Sequence, residues 1–178
     1  MSNPAKIIRD GVVVDDDWTL LAARELDQVA TRPADKSILA LSDFLALPAA
    51  EQQRVGVWLD SHHDPALLAQ ALPRVALIAI NFPKFTDGRG YSIASTLRSR
   101  FGYRGELRAI GDVLQDQLFY LQRVGFNAFA LRADKDIDSA VKSLGDFSET
   151  YQGAVDQPLP LFRRRSGTLS TAAHELHY

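Results

Sequence analysis

The chain has 178 residues, of which 46% are hydrophobic and 24% charged, and this balance excludes disordered and fibrous classes of protein. The net charge of −2 argues against nucleic-acid binding by bulk charge, and no stretch reaches the ~20 apolar residues that a membrane helix needs. There is no cysteine, which excludes disulfides, thiolate nucleophiles and cysteine-ligated metal centres.

The first 53 residues predict a β-prone arm and a short helical segment, and they carry no signal-peptide pattern, so a cytoplasmic protein is expected. Two β-prone runs, 6–9 and 12–14, flank Asp10-Gly11, a dipeptide typical of a two-residue hairpin. The acidic run 15–17 is interpreted as a solvated turn. The remaining elements expected here are a short strand over 37–41 and a helical stretch over 42–53, restarted at Pro48.

From residue 54 to about 150 the sequence predicts an α/β core of four βα units. Apolar runs alternate with amphipathic stretches, which favours right-handed crossovers and one parallel sheet. The sheet could be an open three-layer sandwich or half of a (β/α) barrel, and the whole chain is taken as a single domain ending in a tail over 151–178. The predicted strands are 55–60, 75–81, 106–111 and 127–131.

Each predicted strand is followed by a helical pattern. Asp64 is expected to cap the first helix, with proline at the next position. Ser92 is expected to cap the second, and the third is expected to start after Gly111-Asp112 and end at Gly125. The fourth covers 136–144.

Self-association is also expected from this architecture. A half-barrel or a small open sheet leaves an exposed edge, which the arm at 6–14 could cover on its own sheet or on that of a partner copy.

Ligands of parallel α/β sheets bind beyond the carboxyl ends of the strands. The loop 83–92 follows the second predicted strand there and carries a lysine and an arginine between glycines at a helix start. Such a loop offers backbone N–H groups, a positive helix end and two charge-assisted donors to an anion, although its charges could simply be solvated. The residues assigned to this oxyanion site are Lys84, Gly88, Arg89, Gly90 and Ser92.

Carboxylates at the same edge suggest two further chemistries. If Asp60, Asp87 and Asp112 converge, they could hold Mg²⁺, which prefers oxygen ligands. In an enzyme, Asp87 or Asp112 would serve as general base and Tyr91 as proton donor. Asp112 could equally be only the N-cap of the following helix.

Several motifs in this region resemble a bacterial family catalogued only as domain of unknown function 934. The resemblance covers roughly residues 50–155. The segments that carry it are 56–59, 82–92, 105–114, 116–119, 125–129 and 151–152.

Members of this family are commonly labelled oxidoreductases and are typically encoded beside assimilatory sulfite reductase, so the resemblance implies a role in sulfate assimilation. A redox role would need bound flavin or nicotinamide, because the chain has no cysteine, and the glycine fingerprint for nicotinamide is absent.

Two functions therefore remain open. The first is an accessory protein of sulfite reduction that docks on the reductase or its electron donor and binds a small oxyanion. The second is a small enzyme acting on a phosphorylated or other anionic metabolite, with Mg²⁺ as a candidate cofactor.

Overall fold

The computed structural model describes residues 5–21 and 32–145, which form one curled, half-barrel sheet flanked by helices. Eight strands are seen in this part of the chain, in the spatial order β2-β1-β8-β7-β6-β5-β4-β3. The predicted tail over 151–178 lies outside the described residues. The strands are β1 (Lys6–Arg9), β2 (Val12–Asp15), β3 (Thr19–Leu20), β4 (Ser37–Ala40), β5 (Gly56–Leu59), β6 (Leu77–Phe82), β7 (Glu106–Gly111) and β8 (Ala128–Phe129).

The strands from β3 to β8 lie side by side in chain order, and every neighbouring pair among them is parallel. The mutual parallel arrangement predicted for the last four strands is thus confirmed. The prediction of a four-stranded, wholly parallel sheet is wrong, because the N-terminal region adds β3 and β4 to one side and the antiparallel β1 and β2 to the other. The segments of β1, β2 and β4 are predicted as β-prone runs or as a strand, but their place in the sheet is not, and β3 is only two residues long.

The predicted N-terminal hairpin is confirmed. β1 and β2 pair antiparallel, and Asp10 and Gly11 have φ of 50° and 78°, the positive values that a two-residue hairpin turn favours. β1 also pairs antiparallel with β8, with Ile8 opposite Phe129. The arm therefore covers an edge of its own sheet, and self-association stays a prediction.

A helix or a helical turn follows each of the four predicted strands, but some of these helices begin at residues other than those predicted. Asp64 caps a 3-10 helix over Pro65–Leu68 by accepting the N–H of Ala66 at 2.9 Å, as predicted. Ser92 caps nothing, since α3 begins at Arg89 with Gly88 as its N-cap residue. The α-helices are α1 (Leu41–Ala46), α2 (Ala49–Gln52), α3 (Arg89–Ser99), α4 (Leu118–Arg123) and α5 (Ile137–Gly145).

The two faces of the sheet are covered by different parts of the chain. On one face, strand residues such as Ile80 and Leu107 pack against helical residues such as Leu97 and Leu121. On the other, a smaller apolar cluster built from β4, β6 and β7 packs against two partly buried tryptophans, Trp18 and Trp58. Helices on one face, with strands in chain order, are typical of half a (β/α) barrel and not of a three-layer sandwich.

A buried arginine holds the segment after β2 against the second face. Arg108 is 1% exposed, and its Nη1 donates to both carboxylate oxygens of Asp16, at 2.9 and 3.0 Å. Its Nε donates to Oε1 of Glu106 at 2.8 Å, while Oε2 of Glu106 lies 2.9 Å from Nε of Arg9. Asp16 therefore belongs to an internal charge network, and the interpretation of 15–17 as a solvated turn is wrong at this residue.

No helix in the described ranges is long and apolar enough to cross a membrane.

Candidate functional site

Polar side chains gather where the central strands end. Asp60 follows β5, and its Oδ1 lies 3.4 Å from Nδ2 of Asn81 in β6. Asp112 follows β7, and its Oδ1 accepts from Nη1 of Arg132 at 3.1 Å. The carboxyl edge of the sheet thus brings together side chains from four consecutive strand ends, at the place where ligands of such sheets bind.

The loop after β6 is fastened at the backbone of Phe85. Its N–H donates to Oδ2 of Asp112 at 2.9 Å, and its carbonyl accepts from Nε2 of Gln117 at 2.6 Å. Asp112 is therefore not a helix cap, since α4 begins only at Leu118. With one oxygen on the loop and the other on Arg132, its carboxylate acts in this structure as an anchor, which weakens its assignment as a general base.

The two charged residues in the middle of the loop form a pair. Nε and Nη2 of Arg89 donate to Oδ1 and Oδ2 of Asp87 at 3.0 and 2.7 Å, and the Arg89 backbone N–H reaches Oδ1 at 3.1 Å. These hydrogen bonds from Arg89, helped by the Ser61 side chain, hold the pKa of Asp87 well below its ordinary value. A carboxylate stabilised in this way is a weak proton acceptor at neutral pH, which argues against Asp87 as a general base.

Tyr91 belongs partly to the core. Its ring meets that of Phe82 edge-on, with centroids 5.6 Å apart, and burial raises the pKa of its hydroxyl. A raised pKa makes the phenol a poorer proton donor, which weakens that assignment as well.

The remaining loop residues divide into exposed and packed positions. Lys84 and Ser92 are exposed, and Ser92 lies within α3. Gly88 is exposed with open space around it, whereas Gly90 is buried against the ring of Phe82. Gly90 is therefore required for packing and not for the approach of a ligand.

The loop's two glycines allow a matched test of this difference. A Cβ on residue 90 would lie 2.6 Å from Cζ of Phe82, and one on residue 88 would meet nothing within 4 Å. Gly90→Ala is expected to lower the free energy of unfolding by about 1–3 kcal/mol through overpacking, and Gly88→Ala by no more than about 0.5 kcal/mol. Urea unfolding of both variants measures this, and equal losses would show that space at Phe82 is not the constraint.

Two adjacent histidines complete the edge beside β5. Nδ1 of His63 accepts the backbone N–H of Asp60 at 2.9 Å, and burial, followed by the neighbouring His62, lowers the His63 pKa. Nδ1 of His62 lies 3.6 Å from Oδ2 of Asp60. His63 thus has a structural partner, while His62 is exposed next to a carboxylate.

The structure gives no support to the magnesium hypothesis. Among the residues it describes, no three or more His, Asp or Glu side chains are grouped so that they could hold a metal ion. The three aspartates have different partners. Asp60 contacts Asn81, and Asp87 contacts Arg89. Asp112 accepts from the backbone of Phe85 and from the side chain of Arg132.

Sequence reasoning missed the contacts that shape this edge. The position of Arg132 at this edge can be predicted from the sequence, because it directly follows the last predicted strand. Gln117 could not, since its contact with the loop spans 32 residues and has no local signal.

Comparison with known proteins identifies the family and no activity. A model of the family described as "bacterial protein of unknown function (DUF934)" matches residues 56–162, which is more than half of the chain and includes β5 to β8 and the loop after β6. The search of curated proteins returned no match. The chain therefore belongs to the family of bacterial proteins that contain domain of unknown function 934.

Proposed function

We propose that this protein is a non-catalytic accessory of assimilatory sulfite reduction that binds a small oxyanion on the loop 83–92 and docks on the reductase or its electron donor. The place in sulfur metabolism rests on the family resemblance, and the binding role rests on the loop's geometry.

The position and pairing of Arg89 carry the binding role. Its side chain is 63% exposed at the start of α3, on the carboxyl edge of the sheet. Because Nε and Nη2 point at Asp87, the guanidinium is held in one orientation and its Nη1 amino group remains for a ligand. Lys84 is exposed in the same loop, two residues after β6 ends, so the anion would meet two cations and a positive helix end.

Binding without chemistry is favoured over the alternative, a small enzyme acting on a phosphorylated metabolite. The three side chains assigned to proton transfer each have another task. Asp87 holds Arg89, Asp112 holds the loop and Arg132, and Tyr91 packs on Phe82. A proton-transfer role would require these side chains to leave their present partners, whereas a binding site needs only the cations.

A deletion strain tests the proposal in the cell. We expect it to grow poorly with sulfate or sulfite as the sole sulfur source and normally with sulfide, because the defect would lie at sulfite reduction. The wild-type gene and a Lys142→Ala variant, which removes an exposed lysine on α5, should restore growth, and an Arg89→Ala variant should not. Equal growth on all sulfur sources would contradict the place in the pathway. Full rescue by Arg89→Ala would contradict the role of the loop.

A further inference from the structure

A cleft lined by both charged and apolar residues lies at the opposite edge of the sheet, where β7 and β8 begin. Its volume is about 510 Å³. Arg104 and Asn127, which lie two residues before β7 and one residue before β8, line it, whereas the loop of the proposed function follows the end of β6. The charged residues on its wall are Asp10, Arg98 and Arg104.

Arg98 is a buried cation with neutral partners. It is 9% exposed, near the end of α3. Its Nε donates to the carbonyl of Gly125 at 2.8 Å, and its Nη1 donates to the carbonyls of Tyr103 and Gly105 at 2.8 and 2.9 Å. Nη2 reaches Oδ1 of Asn127 at 3.3 Å, which leaves one of its two N–H groups.

The positive charge of this wall is only partly balanced, by the carboxylate of Asp10 on the same wall. Within residues 5–21 and 32–145, neither Arg98 nor Arg104 forms an ion pair with a carboxylate. Burial lowers the pKa of Arg98, Tyr103 and Asp10 oppose this shift electrostatically, and the like charge of Arg104 adds to it. The hydrogen bonds of Arg98 all go to neutral groups, so an anion that enters beside the two guanidiniums would add an ion pair to this buried cation.

Asp10 restricts which anion fits. Its Oδ1 accepts from Nδ2 of Asn127 at 3.2 Å, so the carboxylate is fixed on the same wall. Two arginines and one aspartate leave a net charge of +1. A ligand that combines an anionic group with hydroxyls satisfies both sides, because the anion pairs with the arginines while a hydroxyl donates to Asp10.

We propose that this cleft binds a small hydroxylated phosphate monoester, with the phosphate between Arg98 and Arg104 and a hydroxyl on Asp10. Arg98 offers its remaining Nη2 N–H and the exposed Arg104 its planar fork of donors, and both suit the oxygens of a phosphate. The cleft is also within the usual size of a small-molecule site. Nothing in this proposal depends on the oxyanion loop.

Calorimetry with glycerol 3-phosphate and with inorganic phosphate tests the site. We expect saturable binding of both, tighter for the monoester, and at least tenfold weaker binding by Arg104→Ala. Arg104 is exposed and makes no ion pair among the described residues, so its replacement should leave the fold intact, which circular dichroism would verify. Arg100→Ala is the matched control, because Arg100 is exposed nearby and packs on Phe101 without lining the cleft.

Amide chemical shifts distinguish this site from the loop. Titration with glycerol 3-phosphate should move the N–H signals of Gly105, Gly125 and Asn127, and Arg89→Ala should leave these changes unaltered. The proposal is overturned if the monoester does not saturate, if Arg104→Ala binds like wild type, if Arg100→Ala weakens binding equally, or if the shifts occur only in the loop. A failure here leaves the loop's binding role standing, since the growth experiment tests that independently.

Discussion

The Arg108→Ala variant is expected to lose about 3–5 kcal/mol of unfolding free energy, the usual cost of removing one member of a buried charge network. Arg108 is 1% exposed and is the only described donor that joins Asp16 to β7. Without it, the carboxylates of Asp16 and Glu106 lie close together with less positive charge between them. The segment after β2 should then detach from the second face of the sheet.

Urea unfolding followed by circular dichroism measures this loss, and a double-mutant cycle with Asp16→Asn tests its origin. Because the two side chains share hydrogen bonds, the sum of the stability losses of the two single variants should exceed the loss of the double variant. Arg104→Ala is the control, since an exposed arginine should matter by no more than about 0.5 kcal/mol. A loss below 1 kcal/mol for Arg108→Ala would show that the network does not hold this segment.

The features of the fold that the sequence predicts correctly are those that depend on local residue patterns. The hairpin at Asp10-Gly11, the capped turn at Asp64 and the continuous apolar run of β6 each depend on neighbours a few residues apart. The contact of Asp16 with Arg108 spans 92 residues, and no periodicity reports it. The one available signal was a charged residue in the middle of an otherwise apolar strand, β7, because an arginine there must find a buried partner.

The location of the candidate site was likewise easier to predict than its pairings. The rule that ligands bind beyond the carboxyl ends of parallel strands places Asp60, Asp112 and the loop on one edge. The rule does not predict that Asp112 accepts the N–H of Phe85, or that Gly90 faces the ring of Phe82. Both contacts follow from the exact path of the loop across the end of β7, which composition and spacing do not determine.

Arg89→Ala is expected to weaken the binding of sulfite, sulfate and phosphate to the loop by roughly 1.5–3 kcal/mol, the usual contribution of a hydrogen bond to a charged group. This corresponds to roughly a tenfold to a hundredfold increase in Kd. The stability of the fold should change by no more than about 0.5 kcal/mol, because the side chain is 63% exposed. Calorimetry measures the binding, and Lys142→Ala controls for the loss of one surface charge.

The same variant should change the titration of Asp87, which gives a readout that does not depend on a ligand. Arg89 is the main cause of the low Asp87 pKa, so the pKa should rise towards its ordinary value near 3.8 when the guanidinium is removed. The depressed pKa means that the folded state releases this proton more readily than the unfolded chain. The small stabilisation that this pair gives, with its exposed arginine, is therefore present above pH 3.8 and is lost on acidification below that value. Carboxyl carbon NMR of wild type and variant follows the change. An unaltered Asp87 titration would show that the pair does not form in solution. An altered titration with unchanged anion binding would leave Arg89 a purely structural residue that fixes the start of α3.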